Sequence, residues 1–160
     1  MADEKNVKSA YEVYQTLCTM LDDLNLKYSR DDESFAIQVG IQGEDFPVRM
    51  HIRVNPGKSL ISVLSQLPFS VPEDKRIEMS VAVSMANYLL VDGSFDYNIG
   101  EGDILFRLTS SYLDSLIGKE LLQFMLMVSY KTIDNFNDKF FMLMKEKMTL
   151  DEFAQAIKNN

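Results

Sequence analysis

The chain has 160 residues, one cysteine and a net charge of −8, and 46% of its residues are hydrophobic. These values predict one globular domain over residues 1–160 that buries a core without disulfide or metal staples. The acidic balance disfavours binding to nucleic acids and to anionic membrane surfaces. The longest apolar runs have five residues, far below the roughly 20 that a membrane span needs. The first residues, MADEKN, lack the apolar segment of a signal peptide, so we expect a cytoplasmic protein.

Hydrophobic periodicity predicts an α+β protein, because segments with helical spacing alternate with segments in which every second residue is apolar. The element order is α-β-β-β-α-β-β-α-α, typical of an antiparallel sheet with helices packed on one face. The last helix, over about 149–158, is predicted as an addition to the core. The predicted elements, in chain order, are a helix over 6–27, strands over 35–41, 46–54 and 59–66, a helix over 72–90, strands over 95–99 and 104–108, a long helix over 118–147 and the last helix.

Each predicted hairpin has a four-residue loop that sets its register. In the first hairpin the loop joins Ile41 to its partner Phe46, and in the second the loop 100–103 sets Asp96 opposite Arg107. A slip by one residue would bury the polar side chains of these strands. The pattern therefore determines which face of each strand is buried.

The sequence offers no constellation for catalysis or for a metal or cofactor. Cys18 lies on the apolar stripe of the first helix, where a structural cysteine is expected, and His51 lies on a strand. One His and one Cys cannot build a zinc site. The stretch 92–103 partly matches a calcium loop, but Tyr97 occupies the position of the turn glycine. Walker and nucleophile-elbow motifs are missing, so we predict a protein that is not an enzyme and uses no cofactor.

Arg49, His51 and Arg53 alternate along one predicted strand and therefore share one face of the sheet. A basic stripe on an acidic protein suggests a binding face for an acidic or anionic partner. The alternative is a solvated sheet face on which these residues pair with acids such as Asp31 or Glu33.

Two leucines of the third predicted strand, Leu60 and Leu64, are expected to flank Arg53 and Arg49 on that face. Arginine beside exposed aliphatic side chains is a composition found in many interfaces. The candidate partner-binding residues are therefore Arg49, His51, Arg53, Leu60 and Leu64.

The long helix carries a wider apolar surface than one sheet face needs. Met125, Met127, Phe141 and Met142 lie beside its main apolar stripe. The surplus indicates either an oligomer interface or packing between helices.

Two stretches, DESFAIQVGIQGEDFPVRMHIRV and PEDKRIEMSVAVSMANYLLVDGSFDYNIGEGDILFRL, followed by an amphipathic helix, resemble the YbjN family of bacterial proteins, described as sensory transduction regulators. The similarity spans residues 7 to 145. This resemblance implies a fold like that of type III secretion chaperones, which are small acidic dimers that bind extended segments of other proteins. It implies no catalytic residues. The residues that carry it are Asn87, Gly93, Phe95, the pair Gly102 and Asp103, and Arg107.

Residue pattern and resemblance together predict a non-catalytic protein-binding module with a chaperone-like or regulatory function. We expect a homodimer that binds a protein partner through a sheet face or edge and an apolar helix surface. The alternative is a regulator of signal transduction that senses a small ligand in an apolar pocket between sheet and helices.

Overall fold

The computed structural model describes residues 4–158, so both ends of the predicted domain 1–160, including the first three residues of MADEKN, lie outside the described residues. The elements, in chain order, are α1 (Glu4–Asp23), β1 (Tyr28–Asp31), β2 (Ala36–Gln42), β3 (Pro47–Asn55), β4 (Leu60–Ser70), a 3-10 helix (Glu73–Lys75), α2 (Arg76–Leu89), β5 (Ser94–Asn98), β6 (Asp103–Ser111), α3 (Lys119–Met144) and α4 (Leu150–Lys158).

The strands form one antiparallel sheet in the order β1-β2-β3-β4-β6-β5. The predicted α+β class and element order are confirmed, and the structure adds the short edge strand β1. This strand escapes sequence analysis because it has four residues, three of them exposed, and so presents no apolar alternation. No helix in the described part of the chain is long and apolar enough to cross a membrane.

The helices pack on one face of the sheet, where they cover the apolar residues of the strands. β3 buries alternate residues there, such as Val48, Met50 and Ile52, and α1 and α3 both contact this strand. Cys18 of α1 is buried in the same layer, and this burial raises the pKa of its thiol. His51 occupies an alternate position of β3, on the opposite face of the sheet, so the fold keeps the thiol and the imidazole apart.

Part of the wide apolar surface of α3 is used for packing within the chain. Met125 is buried, and the ring of Phe141 lies 5.2 Å from Phe46 and 5.5 Å from Phe69, centroid to centroid. At the C-terminal end, Phe153 of α4 completes a row of aromatic rings that runs through α3 to the sheet. Packing within the chain therefore accounts for Met125 and Phe141, whereas Met127 and Met142 stay partly exposed and do not belong to the core cluster.

Both hairpin registers differ from the prediction by two residues. In the first, Gln42 pairs with Pro47, because Phe46 leaves the strand to join the cluster with Phe69 and Phe141. In the second, Asp96 lies opposite Leu105 rather than opposite Arg107.

A slip of two residues keeps the side chains that remain in the strands on their predicted faces. Ile99, at the end of the predicted strand 95–99, instead lies in the turn and is 47% exposed. Arg107 still reaches Asp96 diagonally, with 2.9 Å between Nη2 and Oδ2.

Candidate functional site

The face of the sheet opposite the helices is open, and we call it the open face. Arg49, His51 and Arg53 lie on it as predicted, because they alternate with the buried residues of β3. His51 is opposite Leu64, and Leu60 lies four residues before Leu64 in β4, on the same face. The structure thus brings the five predicted residues together on one surface.

The three basic side chains of this surface are unpaired. In residues 4–158, no carboxylate lies within ion-pair distance of Arg49, His51 or Arg53, and none of the three forms a hydrogen bond through its side chain. By contrast, Arg107 on the same face is neutralised by Asp96. The basic stripe is therefore available to a partner.

The predicted alternative, in which Asp31 pairs with the stripe, is not what the structure shows. The Asp31 carboxylate accepts hydrogen bonds from Ser34 Oγ at 2.7 Å and from the backbone N–H groups of Glu33 and Ser34. These hydrogen bonds lower the pKa of Asp31, and the bond from the Ser34 hydroxyl contributes most. Both carboxylate oxygens are thus occupied by groups of the turn that follows β1.

A second carboxylate near β1 is also engaged away from the open face. Asp32 accepts a 2.8 Å hydrogen bond from the hydroxyl of Tyr14, and Arg30 donates to its other oxygen at 3.0 Å. The hydrogen bond from Tyr14 lowers the pKa of Asp32 most, and the hydrogen bond from Arg30 lowers it further. Burial of the Tyr14 hydroxyl raises the pKa of Tyr14. This cluster ties α1 to the loop after β1.

Two depressions on the open face meet at His51. One of about 490 Å³ is bordered by Arg49, Leu64 and Leu105, and one of about 340 Å³ is bordered by Arg53 and Asp31. Between them the face offers both cationic and aliphatic contacts. Such a combination is typical of protein interfaces.

Two residues of this surface were not predicted from the sequence. Gly40 lies opposite Arg49, and a Cβ built there would meet no heavy atom within 4 Å, so the backbone is open to a partner. Leu105 lies on the outer side of β6, half-buried. It is the middle one of three consecutive apolar residues, so it breaks the alternation of apolar and polar residues along the strand. This break is the signal in the sequence that could have identified it.

The two edges of the sheet differ in whether their backbone N–H and C=O groups are free to pair with a further strand. At the β5 edge, the side-chain amide of Asn87 donates to the carbonyl of Phe95 at 2.9 Å and accepts from its N–H at 2.8 Å. This amide occupies backbone groups that an added strand would use. The β1 edge has no such cover among the described residues.

We expect Asn87→Ala to lower the free energy of unfolding by about 2 kcal/mol, because two hydrogen bonds to a partly buried backbone are lost together. Chemical denaturation would measure the change. Asn98→Ala removes the exposed asparagine at the end of β5, whose side chain makes two hydrogen bonds at the surface, and should cost less than half as much because water can replace them. Equal losses in the two variants would refute the special role of Asn87 at this edge.

In the described part of the chain, no group of three or more His, Cys, Asp or Glu is arranged so that it could hold a metal ion. The calcium-like stretch 92–103 instead forms the β5–β6 hairpin. In it, the Asn98 side chain accepts a hydrogen bond from the Gly100 N–H and donates one to Glu101, and Asp96 pairs with Arg107.

Comparison with known proteins identifies a family and a fold. The model of the YbjN family, described as "Putative bacterial sensory transduction regulator", matches residues 14–142. No curated protein matches the sequence.

Among solved structures, the chain is similar to YbjN from E. coli, described as "a putative transcription regulator", with 14% identity, a TM-score of 0.55, and coverage of 76% of this chain and 85% of that one. It is also similar to a chain of the HopA1–SchA chaperone–effector complex, with 10% identity, a TM-score of 0.57, and coverage of 86% and 99%. At these identities the likeness establishes the shared fold.

Proposed function

We propose, since the chain belongs to the YbjN family, that it is a non-catalytic protein-binding module with a chaperone-like or regulatory function. It acts in the cytoplasm as a homodimer and holds a segment of a protein partner on the open face. The observation that carries this proposal is the unpaired basic stripe of Arg49, His51 and Arg53 beside half-buried leucines.

The geometry of the stripe favours an extended, acidic segment. Alternate side chains of a strand are about 6.6 Å apart, and an extended partner segment has the same repeat. Acidic residues at every second position of the partner would therefore each meet one basic residue of β3. Leu60, Leu64 and Leu105 supply apolar contacts along the same surface.

The open β1 edge offers such a segment a place for its backbone. A strand added there would gain main-chain hydrogen bonds, while Asn87 obstructs the same addition at β5. The depression bordered by Ser29, Asp31 and Arg53 leads from the β1 edge onto the open face. Because β1 and β2 separate the edge from the stripe, two successive stretches of one segment would use them, one paired with β1 and the other lying across the open face.

Capture of partners by the tagged full chain from lysate of its source organism tests this proposal. The wild type is compared with Arg49→Glu/Arg53→Glu and with Lys131→Glu/Lys147→Glu. The second variant makes the same change of net charge at exposed lysines outside the open face. We expect one stoichiometric partner that the stripe variant loses and the control retains.

Two other outcomes would contradict the proposal. A partner that both variants retain would exclude the open face as its binding site. Loss in both variants would indicate non-specific dependence on net charge rather than recognition by the stripe.

A ligand-sensing regulator is the second candidate function, and one observation favours it. A largely apolar groove of about 690 Å³ between α2 and α4 is within the size range of small-molecule sites. A thermal-shift screen separates the candidates, because a ligand at 100 times its dissociation constant stabilises the folded chain by about 2.7 kcal/mol.

A further inference from the structure

The helix α2 carries apolar side chains on two opposite faces. One face is buried in the core through residues such as Met79, Val83 and Ala86. On the other face, Ile77 is 71% exposed and Tyr88 is 89% exposed, although both are large and mainly apolar. A helix that is apolar on both sides is normally covered on both sides. The outer face of α2 therefore lacks its partner in the single chain.

The spacing on this outer face suits pairing with a second copy of itself. Ile77, Val81, Ser84 and Tyr88 follow one another at intervals of four, three and four residues, the spacing of a helix–helix seam. These intervals read the same in both directions. In two antiparallel copies, Ile77 therefore meets Tyr88 of the second copy and Val81 meets its Ser84, twice about a two-fold axis.

The apolar surface continues beyond α2 onto the C-terminal helix. A groove between α2 and α4 is bordered by Met85 and Leu89 on one side and by Ala154 and Ile157 on the other. This groove extends the apolar surface beyond the row of α2 side chains that forms the seam. A second copy could therefore cover the groove as well as that row.

The start of α2 forms an acidic end of this face. Lys75 is paired there with Glu146, and the Arg76 guanidinium donates to backbone carbonyls, so both cations are engaged. Glu73 and Asp74 are exposed beside them. Arg76 keeps its charge, so three carboxylates, those of Glu73, Asp74 and Glu146, stand against two cations and leave this end with a net negative charge.

The other end of the face carries a cation, Lys158. The pair of Lys75 and Glu146 places the beginning of α4 beside the beginning of α2. Lys158, the last residue of α4, borders the groove together with Tyr88 and Leu89 at the end of α2. An antiparallel pair would bring the acidic end of each copy to Lys158 of the other, which is electrostatic complementarity.

We infer that two copies of this chain associate through the outer face of α2, as an antiparallel pair related by a two-fold axis. The inference rests on the homodimer of the proposed function and supplies its interface. It uses none of the residues of the open face, so each copy can still hold a partner segment.

Sedimentation equilibrium of the full chain tests this interface with two single variants, Ile77→Lys and Tyr88→Glu. Each places a charge against an apolar side chain at both ends of the seam. The charge introduced by Ile77→Lys would also lie near Lys158 of the second copy. The charge introduced by Tyr88→Glu would lie near the acidic end of the second copy, so each variant also brings like charges together. We expect the dissociation constant of the dimer to rise at least about 100-fold in each. The control Leu113→Glu changes an exposed leucine outside α2 and should leave the constant unchanged.

A mixture of the two variants tests the antiparallel arrangement. In a mixed pair, one end of the seam receives an ammonium opposite a carboxylate, and the other end keeps the contact of Ile77 with Tyr88. We expect the mixture to associate although each variant alone does not. In a parallel pair the new charges would not meet, so failure to recover would contradict the antiparallel geometry.

Three further results would overturn the inference and leave the open-face proposal standing. The first is a dimer that survives both single changes, which would move the interface elsewhere. The second is a monomeric wild type whose α2 face becomes protected from hydrogen exchange only when a partner binds. The third is a monomer stabilised by a small molecule that Tyr88→Glu no longer binds. Partner capture by the Arg49→Glu/Arg53→Glu variant is measured separately, so failure of one proposal does not imply failure of the other.

Discussion

Phe153→Ala is expected to lower the free energy of unfolding by about 4 kcal/mol, because it removes a large side chain from the interior and leaves a cavity. Phe153 has no exposed surface, and its ring lies 5.3 Å from that of Phe140. Phe140 in turn lies 5.2 Å from Phe95 of the sheet. For a chain of this length, the melting temperature should fall by about 10 °C.

Phe124→Ala is the matched control for this change, since Phe124 is half exposed on α3. We expect it to cost less than about 1 kcal/mol. The comparison also tests whether α4 belongs to the folded core, because Phe153 lies outside the residues 14–142 that match the family. A Phe153→Ala variant as stable as Phe124→Ala would show that α4 contributes little to the fold.

Gly102→Ala is expected to destabilise the chain by roughly 3 kcal/mol or more. Gly102 has a φ of 84°, and a Cβ there would lie 2.1 Å from the carbonyl oxygen of Val71. The Gly102 carbonyl also accepts a 2.8 Å hydrogen bond from the Val71 N–H, which fixes the two backbones against each other. The clash therefore cannot be relieved by rotating a side chain.

Gly100→Ala is the control in the same turn. Its φ is not in the left-handed region, and the nearest atom to a new Cβ is the side-chain oxygen of Asn98 at 3.4 Å. We expect a change within about 0.5 kcal/mol, measured by the same denaturation experiment. Similar losses in the two variants would contradict the close approach of the β5–β6 turn to Val71.

The buried faces of the strands were predictable from the sequence, whereas the register of the hairpins was not. Alternation states which side of a strand is apolar, and a slip of two residues preserves that information. The loops themselves are decided by contacts distant in sequence. In the first hairpin, Asp134 of α3 accepts a hydrogen bond from the Glu44 N–H, and Phe46 turns toward Phe141.

The basic stripe could be placed on one face from its spacing, but its lack of ionic partners could not. Whether Asp31 reaches Arg53 depends on the turn after β1, where Ser34 holds the carboxylate. The outer face of α2 was hidden for a related reason. Its apolar residues, such as Tyr88, look like core residues until the packing shows which side of the helix is buried.

The residues that carry the family resemblance have structural roles. Asn87 covers the β5 edge, Gly93 and Gly102 adopt positive φ, Phe95 is buried, and Arg107 pairs with Asp96. Membership of the YbjN family therefore accounts for the fold. The binding surface has to be sought in other residues, which is why the open face and the outer face of α2 matter.

The affinity of the captured partner for the wild type and for Arg49→Glu/Arg53→Glu is the most direct test of the open face as a binding surface. We predict that the dissociation constant rises at least about 100-fold in the variant, because two charge-assisted contacts are replaced by like-charge contacts. Lys131→Glu/Lys147→Glu should bind like the wild type. An unchanged dissociation constant for Arg49→Glu/Arg53→Glu would contradict the proposal that the open face binds the partner.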